Sequence, residues 1–161
     1  MKTKYLLLIM CLFGSSILYA QNSAFKNLLE KYENEDDVTV VSISKAMFNL
    51  IPANIKTNNV DIKNIVPKIE SLLILTSDKS SIKEKMNADF KSLIDKDKSF
   101  EELMRIKSGS SNITFNIKKK GNLISELVML INDEADFVVI QILGNFTIED
   151  IQSIAKDSTT Q

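Results

Sequence analysis

Between Phe100 and Leu143 the apolar residues recur at every second position in four successive runs. That period commits the stretch to strands, because a helix needs a repeat near 3.6. The runs cover 101 to 107, 112 to 118, 123 to 131 and 136 to 143, with short polar or glycine-bearing turns between them. Turns that short return each strand beside the one before it, so the reading is an antiparallel meander. In the second run Ile113, Phe115 and Ile117 alternate with Thr114, Asn116 and Lys118, which predicts one face in water. In "LISELVMLI" and "FVVIQIL" both faces are apolar. These two strands are expected at the sheet centre, covered on both sides by the chain itself or by a partner chain.

Upstream, "SAFKNLLEKYEN" sets Phe25, Leu28, Leu29 and Tyr32 on one stripe of an amphipathic helix, with Ser23 placed to cap it. "VTVVSI" (38 to 43) is β-branched and reads as a strand. A short helix from about Lys45 to Ile51 follows, with Ser44 as cap, Met47, Leu50 and Ile51 as its buried stripe and Pro52 as its stop. Residues 53 to 67 read as a connection with one helical turn starting at Asp61. "KIESLLIL" (68 to 75) is a further strand. A helix is then expected near Ser81, with Glu84 completing a capping box and Ile82, Met86, Phe90, Leu93 and Ile94 turned inward. Gly144-Asn145 should turn the chain out of the last strand, with Thr147 as cap and Asp150 at the third position of a final helix. The expected fold is α+β: one mostly antiparallel or mixed sheet of about six strands, ending in a four-strand meander and packed by four amphipathic helices. No segment of about 20 to 50 residues repeats, which argues against a solenoid or propeller.

Residues 1 to 20 combine Lys2 and Lys4, an apolar run from Tyr5 to Phe13 and Leu18-Tyr19-Ala20, the three parts of a secretory signal. The apolar run breaks at Gly14-Ser15-Ser16, short of the ~20 residues that span a bilayer. Cleavage after Ala20 is therefore expected, with export to the periplasm or beyond and no stable transmembrane anchor left. Met10 before Cys11 is bulkier than lipid-modification sites prefer, so lipidation is not expected. A single domain would then occupy 21–157, followed by a frayed polar tail at 158–161. That mature chain has no Cys, His or Trp, so it suits an oxidising compartment without disulfides. Removing Lys2 and Lys4 takes the 20 basic residues to 18 against 21 acidic ones, a net charge of −3. Nucleic acid, which requires a basic footprint, is not an expected partner. The one basic cluster, Lys118-Lys119-Lys120, precedes Gly121-Asn122 and reads as a solvated hairpin tip.

Catalytic chemistry finds little to work with. Without His the commonest general base and neutral metal ligand are missing, and without Cys there is no thiolate. No cofactor or metal site is expected. Ser42 and Lys45 do match S-x-x-K, with Ser77-Asp78-Lys79 and Lys107-Ser108-Gly109 following in the order of the serine β-lactamase elements. Yet a chain with 17 Ser and 19 Lys holds four such pairs, Ser23/Lys26, Ser42/Lys45, Ser80/Lys83 and Ser153/Lys156, where about two arise by chance. Ser42 is therefore read as structural. Acidic clusters at 33 to 37, 95 to 98 and 132 to 136 read as polar turns. Asp133, Glu134 and Asp136 could ligate calcium, but lack EF-hand spacing. The triplets starting at Asn112 and Asn145 match the glycosylation pattern and read as structural. Met47, Met86, Met104 and Met129 fall on expected apolar faces and read as core filling.

The stretches "VSISKAMFNLI", "KIESLLIL", "FEELMRI", "ISELVML" and "ILGNFTIEDI" give the chain its resemblance, over nearly the whole mature length, to a family of small exported Bacteroidota proteins known as domain of unknown function 4252. The resemblance implies an exported α+β domain, suits a role in envelope response, and transfers no active-site residue. The expected function is a non-catalytic binding or interaction module of the cell envelope, acting by self-association or on another envelope component. The alternatives are a small hydrolase using Ser/Lys or paired carboxylates, and a carrier for a small apolar ligand.

Overall fold

The computed structural model describes residues 17–50 and 65–150, with side chains from Ala24 onward. The elements are α1 (Ile17–Glu33), β1 (Thr39–Ser44), α2 (Lys45–Phe48), a 3-10 turn (Val66–Lys68), β2 (Ile69–Ser77), α3 (Ser80–Lys96), β3 (Phe100–Ser108), β4 (Ser111–Lys120), β5 (Leu123–Asn132) and β6 (Phe137–Phe146). The expected helical turn at Asp61, Ile51, Pro52, most of the expected signal, the final helix beyond Asp150 and the 158–161 tail lie outside the described residues.

All six strands form one sheet in the order β1-β2-β6-β5-β4-β3, and every neighbouring pair is antiparallel. The α+β reading and the four-strand meander hold, with no parallel pair. Two-residue turns close the first two hairpins of the meander, and Gly109 and Gly121 supply the positive φ (59° and 65°) that such turns require. β5 and β6 sit at the centre of the order, as their doubly apolar patterns predict.

One face of the sheet is covered by α1 and α3. Phe25, Leu29 and Tyr32 of α1 and Met86, Phe90 and Ile94 of α3 close over Leu75, Val128, Leu130, Phe137 and Val139. Spacing of i, i+4, i+7 in α1 and of i, i+4, i+8 in α3 puts each helical set on one stripe, and each side chain so buried contributes roughly 2 kcal/mol from area alone. Rings lock the two helices together: Phe25 meets Phe90 edge-on at 5.9 Å and Tyr32 lies 5.6 Å from Phe90. The Tyr32 hydroxyl donates to Asp89 at 2.8 Å, beside the Lys31 ammonium at 2.7 Å. Among the described residues the opposite face is covered at one end, where Phe48 of α2, Ile65, Ile69, Ile117, Ile124 and Phe146 form a second, smaller core.

Several local expectations change. α1 begins at Ile17, so Ser23 lies within the helix rather than at its start. α3 starts at Ser80 behind Lys79, without a side-chain cap. The Lys79 carbonyl accepts the N–H groups of Ile82 and Lys83, so no Ser81/Glu84 box is needed. Ser44 holds the N-cap position of α2 but makes no capping hydrogen bond. That helix is a single turn, and one turn can aim only one apolar side chain at the sheet. It aims Phe48, leaving Met47 and Leu50 58% and 75% exposed instead of buried. Thr147 and Asp150 do form the expected reciprocal box, with N–H to oxygen distances of 2.8 and 3.2 Å. β6 runs on through Gly144 to Phe146, so Gly144-Asn145 is strand rather than turn. A Cβ at Gly144 would stand 2.4 Å from the Lys68 carbonyl oxygen and 2.4 Å from the Phe146 ring, so the close approach of the 3-10 turn requires glycine here.

Candidate interaction surface

Strand register turns the alternation of each strand into rows that cross the whole sheet. On the face away from α1 and α3, one row runs Val41, Ile74, Ile140, Met129, Phe115, Met104, each residue the register partner of the next. The adjacent row runs Thr39, Thr76, Val138, Ile131, Ile113, Ile106. Neither row contains a charge from one sheet edge to the other. The next row, Ile43, Leu72, Ile142, Leu127 and Ile117, is the one that α2 and the 3-10 turn cover. Among the described residues no helix covers the first two. Their central members stay half-buried only through their neighbours in the sheet, and Val41, Met104 and Ile106 at the two edges are each 43% exposed.

This reverses the expected facing of β4. Asn116 and Lys118, expected in water, are buried on the helix-covered side, while Ile113 and Phe115 stand on the open side. Met104 and Met47 are likewise exposed, whereas Met86 is fully buried as core. Lys118 is not at a solvated tip. Its ammonium lies 3.0 Å from Asp97 and 3.7 Å from Glu126, and 4.2 Å from the centre of the Phe100 ring. The Asp97 carboxylate accepts the Ser99 hydroxyl at 2.6 Å and its N–H at 3.0 Å. Burial pushes the Asp97 carboxyl up, but Ser99 and then the Lys118 ammonium outweigh it and hold the group below its usual range. Gln141 donates to Glu126 at 2.6 Å. Next to this cluster a cleft of about 700 Å³ lies between α1 and the sheet, bounded by Leu73, Gln141 and Leu143 on one side and Phe25 and Leu29 on the other. Two carboxylates share the Lys118 ammonium on its floor, so that buried cation is already compensated and does not call for an anionic ligand. A carboxyl held low is also the wrong acid for glycoside cleavage, which needs one held high.

The serine elements do not converge. Ser42 lies on edge strand β1 and Lys107 on edge strand β3, five strand spacings or roughly 24 Å apart. Ser77 is buried and donates to the Asp37 carbonyl at 2.8 Å, a structural bond. The 132 to 136 turn is organised by Asp133 itself, whose carboxylate accepts the N–H groups of Asp136 and Ala135 at 2.9 and 2.8 Å. Those two bonds, Asp136 first, hold its carboxyl below the usual range. The Lys83 ammonium binds the Asp133 and Glu134 carbonyls at 2.5 and 2.8 Å, which sets a cation of the chain's own at the loop considered for calcium. Among the described residues no cluster of three metal-ligating side chains occurs. Nor is any described helix long and apolar enough to cross a membrane.

What sequence reasoning missed is the pairing that links the rows. Alternation shows which residues of one strand share a face, but the row appears only once β2 is set beside β6. No curated protein and no solved structure matches the chain. A family model described as "Domain of unknown function (DUF4252)" matches residues 32–154, which takes in all six described strands, and the chain belongs to that family.

Proposed function

We propose that the chain is an exported, non-catalytic interaction module of the cell envelope whose working surface is the open face of the sheet. The observation that carries this reading is the uncharged row from Val41 to Met104, six apolar side chains wide and uncovered by any described helix. Contiguous apolar surface of that extent on a folded domain marks an interaction site. The secretory pattern of residues 1 to 20 supports the compartment, and the lack of His and of Cys beyond Cys11 supports the absence of catalysis. The wide separation of Ser42 from Lys107 and the lowered Asp97 carboxyl give the hydrolase alternative no support at those residues.

The test is photo-crosslinking in intact cells, with benzoylphenylalanine placed at Met104 or Ile106 on the open face, or at Lys91 on the exposed side of α3. Protein adducts from Met104 and Ile106, in the periplasmic or extracellular fraction and absent at Lys91, are the expected result. Equal adducts from all three positions, or none from any, would overturn the reading.

A further inference from the structure

We propose that the open face of the sheet is an oxidation-sensitive surface, with Met104 as its first site of modification and Met129 as its second, an inference that rests on the interaction-module reading above. From Gln21 onward the chain has no Cys, His or Trp. Of the side chains that oxidants attack readily, this leaves methionine and tyrosine. Tyr32, the one tyrosine of that stretch, is fully buried. Oxidant chemistry therefore falls to four thioethers, Met47, Met86, Met104 and Met129. The fold divides them unequally. Met86 belongs to the helix-covered core and is 0% exposed. Met104 is 43% exposed at the outer end of the Val41–Met104 row, beside the bulge of β3. Met129 is half-buried two strands further in along that row, with Phe115 as the register partner of both. Met47 is 58% exposed on α2, the helix whose Phe48 covers the end of the same face.

With a hydroperoxide as oxidant the step closes on itself. A sulfur lone pair of Met104 attacks one peroxide oxygen, and the O–O bond breaks as the S–O bond forms. The proton of the transferred oxygen passes to the departing one, which leaves as water when the peroxide is hydrogen peroxide. Sulfur loses two electrons and the peroxide gains them. The product is a sulfoxide, a polar acceptor standing where an apolar thioether stood. The other row members, Val41, Ile74, Ile140 and Phe115, supply no side-chain donor to that oxygen. A partner that covers the row with apolar groups thus leaves the oxygen buried without a hydrogen bond, which weakens the contact. Reduction of the sulfoxide by a methionine sulfoxide reductase restores the original surface, so the change is reversible. Oxidation at Met86 would instead disrupt the core, and burial protects it.

Trypsin separates the four methionines into different peptides, 46–56, 86–91, 99–105 and 121–156, so mass spectrometry can follow each one. In purified protein treated with dilute hydrogen peroxide, Met104 and Met47 should oxidise roughly tenfold or more faster than Met86, with Met129 between them. Protein oxidised only at Met104 and Met47 should melt within about 2 °C of the parent. In cells, benzoylphenylalanine at Ile106 reports on the partner of the face. A peroxide pulse should cut its adducts roughly fivefold or more in the parent. The same pulse should leave them within about twofold in a chain carrying Met104→Leu and Met129→Leu, a volume-conserving pair that cannot form the sulfoxides. Met104→Gln, whose amide imitates the polarity of the sulfoxide, should lower the adducts with no oxidant present. Met104 oxidised no faster than Met86 overturns the inference. So do adducts that fall alike, or persist alike, in the parent and the leucine variant, and in these cases the interaction-module reading stands. If Ile106 gives no adducts even without oxidant, both fall.

Discussion

Lys118, 6% exposed, sits where a lysine ordinarily cannot, and it is tolerated because Asp97, Glu126 and the Phe100 ring surround its ammonium. The Asp97 carboxyl is held low in the folded chain, so its contribution is complete above the unfolded value near 3.9 and is lost as pH falls through the lower, folded value. Thermal melting of the parent and of Asp97→Asn should therefore differ most above about pH 5 and converge as pH falls well below 4. Gly144→Ala pushes a methyl against the Lys68 carbonyl and should cost about 2 kcal/mol or more in urea denaturation. Neither position is legible in sequence. Lys118 opens a lysine run before Gly121-Asn122, which has the composition of an exposed tip. What buries it is α1 crossing that end of β4, where the Phe25 ring comes within 6.0 Å of its ammonium from far upstream in the chain. Gly144 precedes a polar residue, as turn glycines do, whereas its neighbour across the sheet is what demands its lack of a side chain.

Among the elements, those legible in sequence are those whose pattern repeats enough to outweigh local noise. The stripes of α1 and α3, Phe25 to Tyr32 and Ile82 to Ile94, span about two and about three and a half turns, and the inward residues are the expected ones. α2 has a single turn, too short for a period, and its inward residue is not one that the pattern selects. Phe90→Ala should therefore cost about 3 to 5 kcal/mol, while Met47→Ala should lie within about 0.5 kcal/mol of the parent, as read from urea midpoints. Caps follow a similar logic. Thr147 and Asp150 form their box, but Ser81 loses its capping role because the Lys79 carbonyl has already started the helix ahead of it. Edge strand β3 resolves its exposure through charge and irregularity: Glu101, Glu102, Arg105 and Lys107 interrupt its apolar residues, and a bulge lies between Glu102 and Met104. Both features oppose strand-by-strand growth at that edge.

For the molecule as a whole, the number and sequence of strands can be read from periodicity, but their order in the sheet cannot. Nothing local records that Ile74 pairs with Ile140, sixty-six positions later. The candidate surface is legible to the same extent. Doubly apolar β5 and β6 imply that both faces need cover from somewhere, and the missing information is that the long helices gather on one of them. A sheet closed by so distant a pairing pays its loop entropy before any contact returns it, so refolding of the chain from Gln21 onward should take milliseconds to seconds when followed by stopped-flow fluorescence of Tyr32.

The β2–β6 ladder also sets an order of events in a chain made or delivered from its N-terminus. β1 and β2 can meet as soon as both are present, but the inner edge of β2 has no strand to bind until β6, the last strand of the sheet, has arrived. Throughout that interval the nascent half presents Leu72, Leu73, Ile74 and Leu75 beside an unpaired ladder of N–H and C=O groups. Shielding by an escort protein, or rapid passage through this stage, is the condition under which such a chain escapes aggregation. Stop codons placed before Phe137 should consequently yield insoluble fragments, even though they retain both major helices and five of the six strands.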